Sequence, residues 1–315
     1  MNPPDAPRPA PPEPAAGHGQ NRLVWNPFWG EYLGNAPARM QRREGAAECP
    51  FCADLTSGRV PPGTQAWIRP NDFPAIRPPD GEAFVLIYSA DHHRTFAELD
   101  VPDVLRVLGL WQQVHREQSP RYPAVMSWET AGAEIGQTQF HPHGQSFALA
   151  VLPDLLAREL RAVEEAEARG DGCPFCAEVA AEAGGERVVC AGEHWLGFVP
   201  YYARYPYQVR LTPRRHTPNI AGVPGEGPAA EELARDLLRL VRAYNRVYQA
   251  PMPYMLALHQ LGDPRFHVHF ELLPVGRAPG KLKFAASSES AWGFWINDSL
   301  PEAKAAELRA ALELL

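Results

Sequence analysis

The hydrophobic and polar positions along the chain predict strands and helices that recur in a fixed order. Two stretches rich in β-branched and aromatic residues, EAFVLIYSADHH (82–93) and YQVRLTPRRH (207–216), each predict a strand that ends at a histidine. Apolar residues three and four positions apart predict amphipathic helices at 103–117 and 229–248. A further strand is expected after each helix. This order of elements predicts an α+β protein.

The spacing of cysteines and histidines indicates that this order is an internal repeat. The motif CPFC occurs at 49–52 and again at 173–176. In both halves a histidine follows 40 residues after the second cysteine, and a His-x-His pair follows 49 residues later in the first half and 51 residues later in the second. We therefore predict two α+β units of common design, at 22–165 and 171–315, the second ending in a C-terminal arm.

The bulk composition excludes several classes of function. With 45% hydrophobic and 21% charged residues, the chain of 315 residues has the composition of a globular protein. Its net charge of −7 argues against nucleic-acid binding, because phosphate backbones are bound by dense surfaces of Lys and Arg. The apolar runs are too short to cross a bilayer and no signal peptide opens the chain, so we expect a cytoplasmic protein without membrane contact. The Pro- and Ala-rich residues 1–21 predict a disordered tail.

The first CPFC motif predicts a zinc site. A Cys-x-x-Cys pair supplies two sulfur ligands to one ion, and a closed tetrahedral site needs two more. The repeat spacing offers these two, so the predicted ligands are Cys49, Cys52, His92 and His141. His93 is the adjacent alternative to His92. A redox Cys-x-x-Cys is the main rival interpretation, but it does not explain the two matched histidines.

The second histidine of the first pair is a candidate nucleophile. Alternate residues of a strand face the same side, so His141 and His143 point together. If zinc holds His141, the imidazole of His143 stands on a rigid scaffold beside Gly144 and Gln145. Gly144 would let a bulky group approach closely, and Gln145 can hydrogen-bond an oxyanion. The alternative is a structural His143 that donates to a carbonyl in a core strand.

These motifs resemble those of the galactose-1-phosphate uridylyltransferase family, a branch of the histidine-triad superfamily. The resemblance rests on AGAEIGQTQFHPHGQ around the first histidine pair. It extends over nearly the whole chain after the tail, through NPFWGEYLGNAPARMQRR, CPFC, NDFPA, DHHRTFAEL, LHQ, FHVHFELLP and FWINDSLPEAKAAELR. It implies two repeated histidine-triad-like domains, each an antiparallel sheet with helices, related by a pseudo-twofold axis.

The resemblance also implies an activity and the residues that support it. UMP would be exchanged between UDP-glucose and galactose 1-phosphate in a ping-pong reaction through a UMP adduct of His143, with Gln145 steadying the phosphoryl oxygens. UDP-glucose, UDP-galactose and hexose 1-phosphates are the implied partners. The implied substrate-binding residues are Arg39, Arg42, Asn71, Asp72, Thr130, Thr138, Ser288 and Glu289. A homodimer is also implied, in which Arg39 and Arg42 act on the partner's site.

The chain departs from the family pattern in several places. Thr130 stands where the family commonly has Asn, and TQF (138–140) replaces Ser-Asn-Pro before the His-Pro-His. Thr138 still offers a hydroxyl group. The stretch KFAASSESAWGFW (283–295), which corresponds to the sugar-facing segment of the family, carries an unusual Trp292. The resemblance therefore says more about the chemistry than about the hexose.

Two sets of residues compete for a second, structural metal site that would hold zinc or iron. Repeat symmetry nominates the second Cys-x-x-Cys and its histidines, which are Cys173, Cys176, His216 and His267. The family resemblance nominates a different set, which is Glu159, His259, His267 and His269. We favour the second set, because LPDLLAREL places Glu159 where the family has a metal-binding glutamate. Strand geometry would also let His267 and His269 each serve a different site.

Two other functions compete with the uridylyltransferase interpretation. A related histidine-triad nucleotidyltransferase or phosphorylase, acting on dinucleoside polyphosphates or ADP-sugars, would use the same His143. A non-catalytic zinc-stabilised binding protein would keep His143 in a structural role. For the first rival an AMP adduct of the protein is expected, and for the second no covalent nucleotide adduct is expected.

Overall fold

The computed structural model describes residues 21–37, 39 and 48–315. Residues 1–20 of the predicted tail, and Arg42, lie outside the described residues. Within the described part of the chain, no helix has both the length and the apolar character needed to span a membrane.

The chain folds into alternating strands and helices, in the order expected from the hydrophobic pattern. The first half contains β1 (Arg22–Asn26), β2 (Glu31–Asn35), α1 (Pro50–Thr56), β3 (Trp67–Pro70), β4 (Gly81–Ile87), α2 (Val101–Gln118), β5 (Ala124–Ala131), β6 (His143–Leu149) and α3 (Asp154–Arg169). The second half contains α4 (Pro174–Glu182), β7 (Val188–Ala191), β8 (Trp195–Phe198), β9 (Val209–Pro213), α5 (Pro228–Tyr248), β10 (Tyr254–His259) and β11 (His269–Pro274). The C-terminal arm adds β12 (Gly276–Ala278), β13 (Lys281–Leu282), α6 (Ser287–Trp292) and α7 (Pro301–Leu312).

One antiparallel sheet of nine strands passes through both repeats, in the order β3-β4-β6-β5-β10-β11-β9-β8-β7. The repeats meet where β5 pairs with β10, from Ala131 opposite Tyr254 to Ser127 opposite Leu258. Outward from this junction, β5-β6-β4-β3 corresponds to β10-β11-β9-β8, as a pseudo-twofold axis requires. The predicted α+β class with repeated antiparallel sheets is confirmed. The boundaries 22–165 and 171–315 remain a prediction, because the sheet continues across them without a break.

The two faces of the sheet carry different kinds of residue, because strand side chains alternate. Ala148 of β6 packs in the main hydrophobic cluster together with Trp111 of α2 and Tyr244 of α5. Its neighbour Phe147 packs in a second cluster with Leu156 of α3. His143 and Gln145 lie on the same face of β6 as Phe147. The long helices α2 and α5 therefore cover one face, and the candidate functional residues lie on the other.

Helices α2 and α5 hold the two repeats together. The side chain of Asp100 caps α2 by accepting the backbone N–H of Asp103 at 2.8 Å, which satisfies one of the free amides of the first turn. Gln112 in the middle of α2 donates to the backbone carbonyl oxygen of Val223 in the second repeat (2.9 Å). Arg242 of α5 donates in the opposite direction, to the carbonyl oxygen of Ala97 (2.9 Å). The reciprocal bonds fix the position of each half against the other.

A candidate active site and its metal-ligand clusters

The four predicted ligands of the first zinc site lie together. The ligand atoms of Cys49, Cys52, His92 and His141 are all within 4.8 Å of one another. Nδ1 of His141 lies 3.6 Å from Sγ of both cysteines, and Nδ1 of His92 lies 3.4 Å from Sγ of Cys52. A tetrahedral zinc ion with ordinary bond lengths separates a sulfur from a nitrogen ligand by about 3.5 Å. Of the two adjacent histidines, it is His92 rather than His93 that joins the cluster.

The surroundings of His141 suit a metal ligand. Its ring is fully buried, and Nε2–H donates to the backbone carbonyl oxygen of Ser89 at 2.7 Å. Burial lowers the pKa of His141, which favours the neutral imidazole that a metal needs. The hydrogen bond fixes the proton on Nε2 and turns the lone pair of Nδ1 toward the sulfurs. The donor set and its outer contacts therefore fit a zinc ion.

His143 is held by the same strand on the same face. Nδ1–H of His143 donates to the backbone carbonyl oxygen of His141 at 2.8 Å, which places the proton on Nδ1 and the lone pair on Nε2. The imidazole is buried and packs against the ring of Phe51 in α1, with 5.2 Å between ring centroids. The arrangement can present a neutral imidazole nitrogen to an electrophile.

A cavity of about 250 Å³ opens beside His143. Five of the predicted catalytic and substrate-binding residues line it, which are Arg39, Thr130, Thr138, His143 and Gln145. The hydroxyl oxygen of Thr138 is buried there without a hydrogen-bond partner among the described residues. A buried hydroxyl without a partner is costly, and a ligand with polar oxygens would satisfy it. Arg39 lines the cavity of its own chain, and its action on a partner's site stays a prediction.

The reason for a glycine at 144 differs from the expected one. A Cβ built on Gly144 would lie 2.0 Å from Oη of Tyr88 and 2.8 Å from the carbonyl oxygen of Trp128. Because strand residues alternate, this Cβ would point away from His143 and Gln145, toward the face covered by α2. Gly144 is therefore required by the packing of Tyr88 behind the strand.

Four other predicted binding residues do not line this cavity. The carboxylate of Asp72 pairs with Arg69 at 2.8 Å, and the side-chain oxygen of Asn71 accepts the backbone N–H of Phe73 at 2.9 Å. In the C-terminal arm, Glu289 accepts hydrogen bonds from Ser288 Oγ (2.7 Å) and from backbone amides. Within one chain these residues stabilise their own loops.

Comparison with known proteins places the chain in a family. Family models for the N-terminal and C-terminal domains of galactose-1-phosphate uridyl transferase match residues 60–153 and 175–278. A galactose-1-phosphate uridylyltransferase of Streptomyces lividans is 32% identical over 84% of this chain and 72% of its own length. The chain belongs to the galactose-1-phosphate uridylyltransferase family. The resemblance inferred from the sequence is thereby confirmed, and the protein is a transferase of this type.

The similarity to other members of the family extends over nearly the whole chain. The enzyme of the same name from Thermotoga maritima is 28% identical over 91% of this chain and 97% of its own length. A solved structure described as that of a uridylyltransferase superposes with a TM-score of 0.85 at 28% identity, covering 93% of this chain and 98% of the other. The similarity therefore includes the C-terminal repeat and the arm.

The second half of the chain contains two further clusters. One contains Cys173, Cys176, His216 and His267, and the other contains Glu159, His259 and His269. Of the four residues predicted around Glu159, three form the second of these clusters, and His267 groups with the cysteines. His267, two residues before β11, and His269, the first residue of β11, belong to different clusters, which is the arrangement that strand geometry allowed.

The Glu159 cluster borders a cavity of about 960 Å³ that the motifs did not reveal. Nδ1 of His259 lies 3.0 Å from the Glu159 carboxylate, and Nε2 of His269 lies 3.5 Å from it. Among the described residues, the buried Nε2 of His269 has no hydrogen-bond partner. Arg210 and Glu271 form an ion pair of 2.7 Å in the same wall. An unsatisfied buried imidazole nitrogen beside a carboxylate is a suitable ligand pair for a divalent cation.

Sequence reasoning also missed residues of the first cavity. Trp128, Ile135, Gln137 and Phe147 line it in addition to the predicted residues. Two glycines with positive φ, Gly132 and Gly136, shape the loop that carries Ile135 and Gln137 to the wall. The glycine pair in AGAEIGQ was the available signal, because closely spaced glycines before a catalytic strand indicate a shaped loop.

Proposed function

We propose that the protein exchanges UMP between UDP-glucose and galactose 1-phosphate through a uridylylated His143. The observation that supports it best is that His143, Gln145, Thr138 and Arg39 line one small cavity in a chain of this family. Such a cavity offers a nucleophile, hydrogen-bond donors and a positive charge in one place. Phosphoryl-type transfer depends mainly on positioning and charge stabilisation, so these residue types suit it.

The reaction would proceed in two displacements. The imidazole of His143 attacks the α-phosphorus of UDP-glucose, a P–N bond forms, and the bond to the bridging oxygen breaks, releasing glucose 1-phosphate. The phosphate oxygen of galactose 1-phosphate then attacks the same phosphorus and breaks the P–N bond, giving UDP-galactose. The hydrogen bond from Nδ1–H to the carbonyl of His141 orients the ring in both steps. Gln145 and Arg39 would stabilise the phosphoryl oxygens.

Zinc at Cys49, Cys52, His92 and His141 would be structural. It would supply a closed tetrahedral anchor for the strand that carries the nucleophile. The cluster joins the first turn of α1 to the start of β6, two segments about 90 residues apart in sequence. Because His143 hydrogen-bonds to the backbone of His141, any disorder of His141 would be transmitted to the reacting ring.

We also propose a second metal, zinc or iron, at Glu159, His259 and His269. The support is the carboxylate within 3.0 Å of His259 and the buried, unsatisfied Nε2 of His269. This site would be structural for the transfer reaction, because the residue that corresponds to Gln145 beside His269 is the carboxylate of Glu271. A cytoplasmic location is supported by the five cysteines, none of which forms a disulfide.

A homodimer is proposed on the basis of the C-terminal arm. Three large apolar side chains of the arm are strongly exposed in the single chain, Phe284 (67%), Trp292 (83%) and Phe294 (69%). Large apolar side chains exposed on one segment are typical of an interface. Light scattering that gave the mass of one chain at working concentration would contradict the dimer.

The decisive experiment is intact-protein mass spectrometry after incubation with UDP-glucose. We expect an added mass of UMP on the wild type and none on His143→Ala. His194→Ala is the matched control, because His194 lies outside the cavity, and it should retain the adduct. An adduct that persists in His143→Ala would overturn the assignment of the nucleophile. An AMP adduct from ADP-glucose in place of the UMP adduct would favour the rival nucleotidyltransferase.

A further inference from the structure

The second Cys-x-x-Cys motif lies in a geometry that matches the first. We propose that Cys173, Cys176, His216 and His267 bind a structural zinc ion, separate from the Glu159 cluster. Nδ1 of His267 lies 3.3 Å from Sγ of Cys176, and Nδ1 of His216 lies 3.5 Å from the same sulfur. Sγ of Cys173 lies 3.9 Å from Nδ1 of His267. These separations are close to the ~3.5 Å between sulfur and nitrogen in a tetrahedral zinc site.

Both histidines are oriented for binding by bonds on their other nitrogen. Nε2–H of His267 donates to the carbonyl oxygen of Pro213 at 3.0 Å, and Nε2–H of His216 donates to that of Pro264 at 2.9 Å. These bonds fix the tautomers with the lone pairs on Nδ1, which faces the sulfurs in each ring. Metal-binding histidines commonly donate their second ring nitrogen to a backbone carbonyl in this way. His141 in the first cluster has the same bond to Ser89.

The donor set selects zinc and a closed site. Two thiolates and two imidazoles at tetrahedral spacing suit zinc, whereas magnesium and calcium prefer oxygen ligands. All four ligands come from the protein, so no coordination position remains for a substrate. A redox pair would need only the two cysteines, and both are free thiols here rather than a disulfide. Redox chemistry of two cysteines does not require two imidazoles with their lone pairs turned toward the sulfurs, whereas a metal ion does.

The proposed ion would fasten the start of helix α4 to the sheet of the second repeat. Helix α4, which starts directly after Cys173, contributes Val179 to a small cluster with Leu196 and Phe198 and packs Phe175 against the cluster that contains Phe266. The four metal ligands link α4 to the segment before β11, where His267 lies 94 residues after Cys173. A metal ion that binds both ends of a long loop stabilises the folded state. Unfolding either releases the metal or leaves an unfolded chain of lower conformational entropy, and both outcomes make unfolding less favourable. Zinc would therefore stabilise the position of α4 in addition to the apolar contacts of Phe175 and Val179.

The same ion would explain how the two histidines of the second pair are divided. With Nδ1 on the zinc, His267 cannot also bind an ion held by Glu159. His269 faces the other cluster and donates from Nδ1 to the carbonyl oxygen of His267 at 3.0 Å. The C-terminal repeat would thus hold a sulfur-containing site and a site of oxygen and nitrogen ligands side by side. The two sites can be told apart by their ligands.

The test measures zinc in the purified full-length protein by elemental mass spectrometry, together with its thermal midpoint. Cys176→Ser should lower bound zinc by one ion per chain and lower the midpoint by several degrees. Cys190→Ser is the matched control, because it makes the same change in the same repeat outside every cluster, and it should leave zinc content unchanged. Should Cys176→Ser fail to fold, His216→Ala replaces a more exposed ligand and serves as the second variant. Unchanged zinc content in a folded variant would overturn the proposal.

Cobalt substitution provides an independent readout. Cobalt bound by thiolates absorbs strongly through charge transfer, which oxygen and nitrogen ligands alone do not give. Replacing Cys173 and Cys176 by serine together should halve this absorption, because the cysteine pair of the first repeat remains. Glu159→Gln should leave it unchanged. An absorption that does not fall in the double variant would refute the second sulfur site, whatever the outcome of the UMP adduct experiment.

Discussion

The two His-x-His pairs show how one scaffold supports two kinds of chemistry. In each pair the first histidine faces a Cys-x-x-Cys, and Nδ1–H of the second donates to the backbone of the first, at 2.8 Å for His143 and 3.0 Å for His269. The difference lies in the next residue on the same face. It is Gln145 in the first repeat and Glu271 in the second. Backbone geometry is shared, and the neighbouring side chains decide what the second histidine can do.

Charge separates the two surroundings. Glu271 is buried, which favours its neutral form, but Arg210 at 2.7 Å together with His269 and His259 outweighs burial and lowers the pKa of Glu271. A charged carboxylate therefore lies 3.9 Å from Nε2 of His269, with Glu159 on another side at 3.5 Å. Such a site attracts cations and repels phosphate oxygens. Gln145 carries no charge and can donate to an anion, so only the first pair suits phosphoryl transfer.

The largest expected effect comes from making the first pair like the second. Gln145→Glu introduces the carboxylate of the second repeat beside His143. We expect kcat/KM for UMP transfer to fall by about 10²–10³-fold, because a hydrogen-bond donor to the phosphoryl group is lost and a repulsive charge is added. The control Gln113→Glu makes the same change on the exposed face of α2 and should stay within about twofold of wild type. An equal fall of kcat/KM in both variants would show that the difference between Gln145 and Glu271 does not explain why only the first histidine pair suits catalysis.

The second test concerns the residue that directly follows the second histidine of each pair. It is Gly144 in the first repeat and Phe270 in the second. Gly144→Ala should lower the free energy of unfolding by about 3 kcal/mol, because its Cβ would lie 2.0 Å from Oη of Tyr88. Denaturant unfolding measures the loss, and Tyr88→Phe in the same chain should recover part of it.

A matched control separates the clash from the general effect of adding a methyl group. Gly109 lies inside α2, and a Cβ there meets nothing within 4 Å. Gly109→Ala should therefore raise the free energy of unfolding by up to about 1 kcal/mol, through helix propensity. If Gly144→Ala is as stable as wild type, the strand can move away from Tyr88 and the packing argument fails.

A pH-dependent effect on stability is expected from the carboxyl group beneath the first pair. Glu129 pairs with Gly144 in the sheet, and Leu258 takes the corresponding place in the second repeat. Burial raises the pKa of Glu129 from 4.5 to about 8, with Tyr254 as its hydrogen-bond donor at 3.0 Å. Between these values the folded chain keeps a proton that the unfolded chain releases. Stability should therefore fall as pH rises from 4.5 to 8, by at most about 1.4 kcal/mol per pH unit.

Glu129→Gln removes this titration while keeping an oxygen that can accept from Tyr254. In unfolding experiments between pH 5 and 8, the variant should lose less stability with rising pH than the wild type. Glu117→Gln, at an exposed position of α2, should follow the wild-type curve. Parallel curves for Glu129→Gln and wild type would mean that the buried carboxyl keeps its ordinary pKa.

Much of the metal chemistry could be read from the sequence, because it depends on repeated spacing. Cys52 to His92 and Cys176 to His216 are separated by equal lengths of chain, and each Cys-x-x-Cys begins a helix that turns both sulfurs the same way. The strand period of two then predicted that His141 and His143 share a face. These features are local or repeated, so they survive without knowledge of the tertiary structure.

What only the tertiary structure decided was the set of partners that each side chain meets. The sequence alone allowed His267 to join either the cysteines or Glu159, and only the packing of α3 and α4 against the sheet placed it with the cysteines. Gly144 could have served a ligand or a neighbour, and the position of Tyr88 decided for the neighbour. Side-chain periodicity specifies which residues share a face of a helix or strand. The contacts of those residues depend on where segments distant in the sequence pack, and the spacing of residues along the chain does not specify that packing.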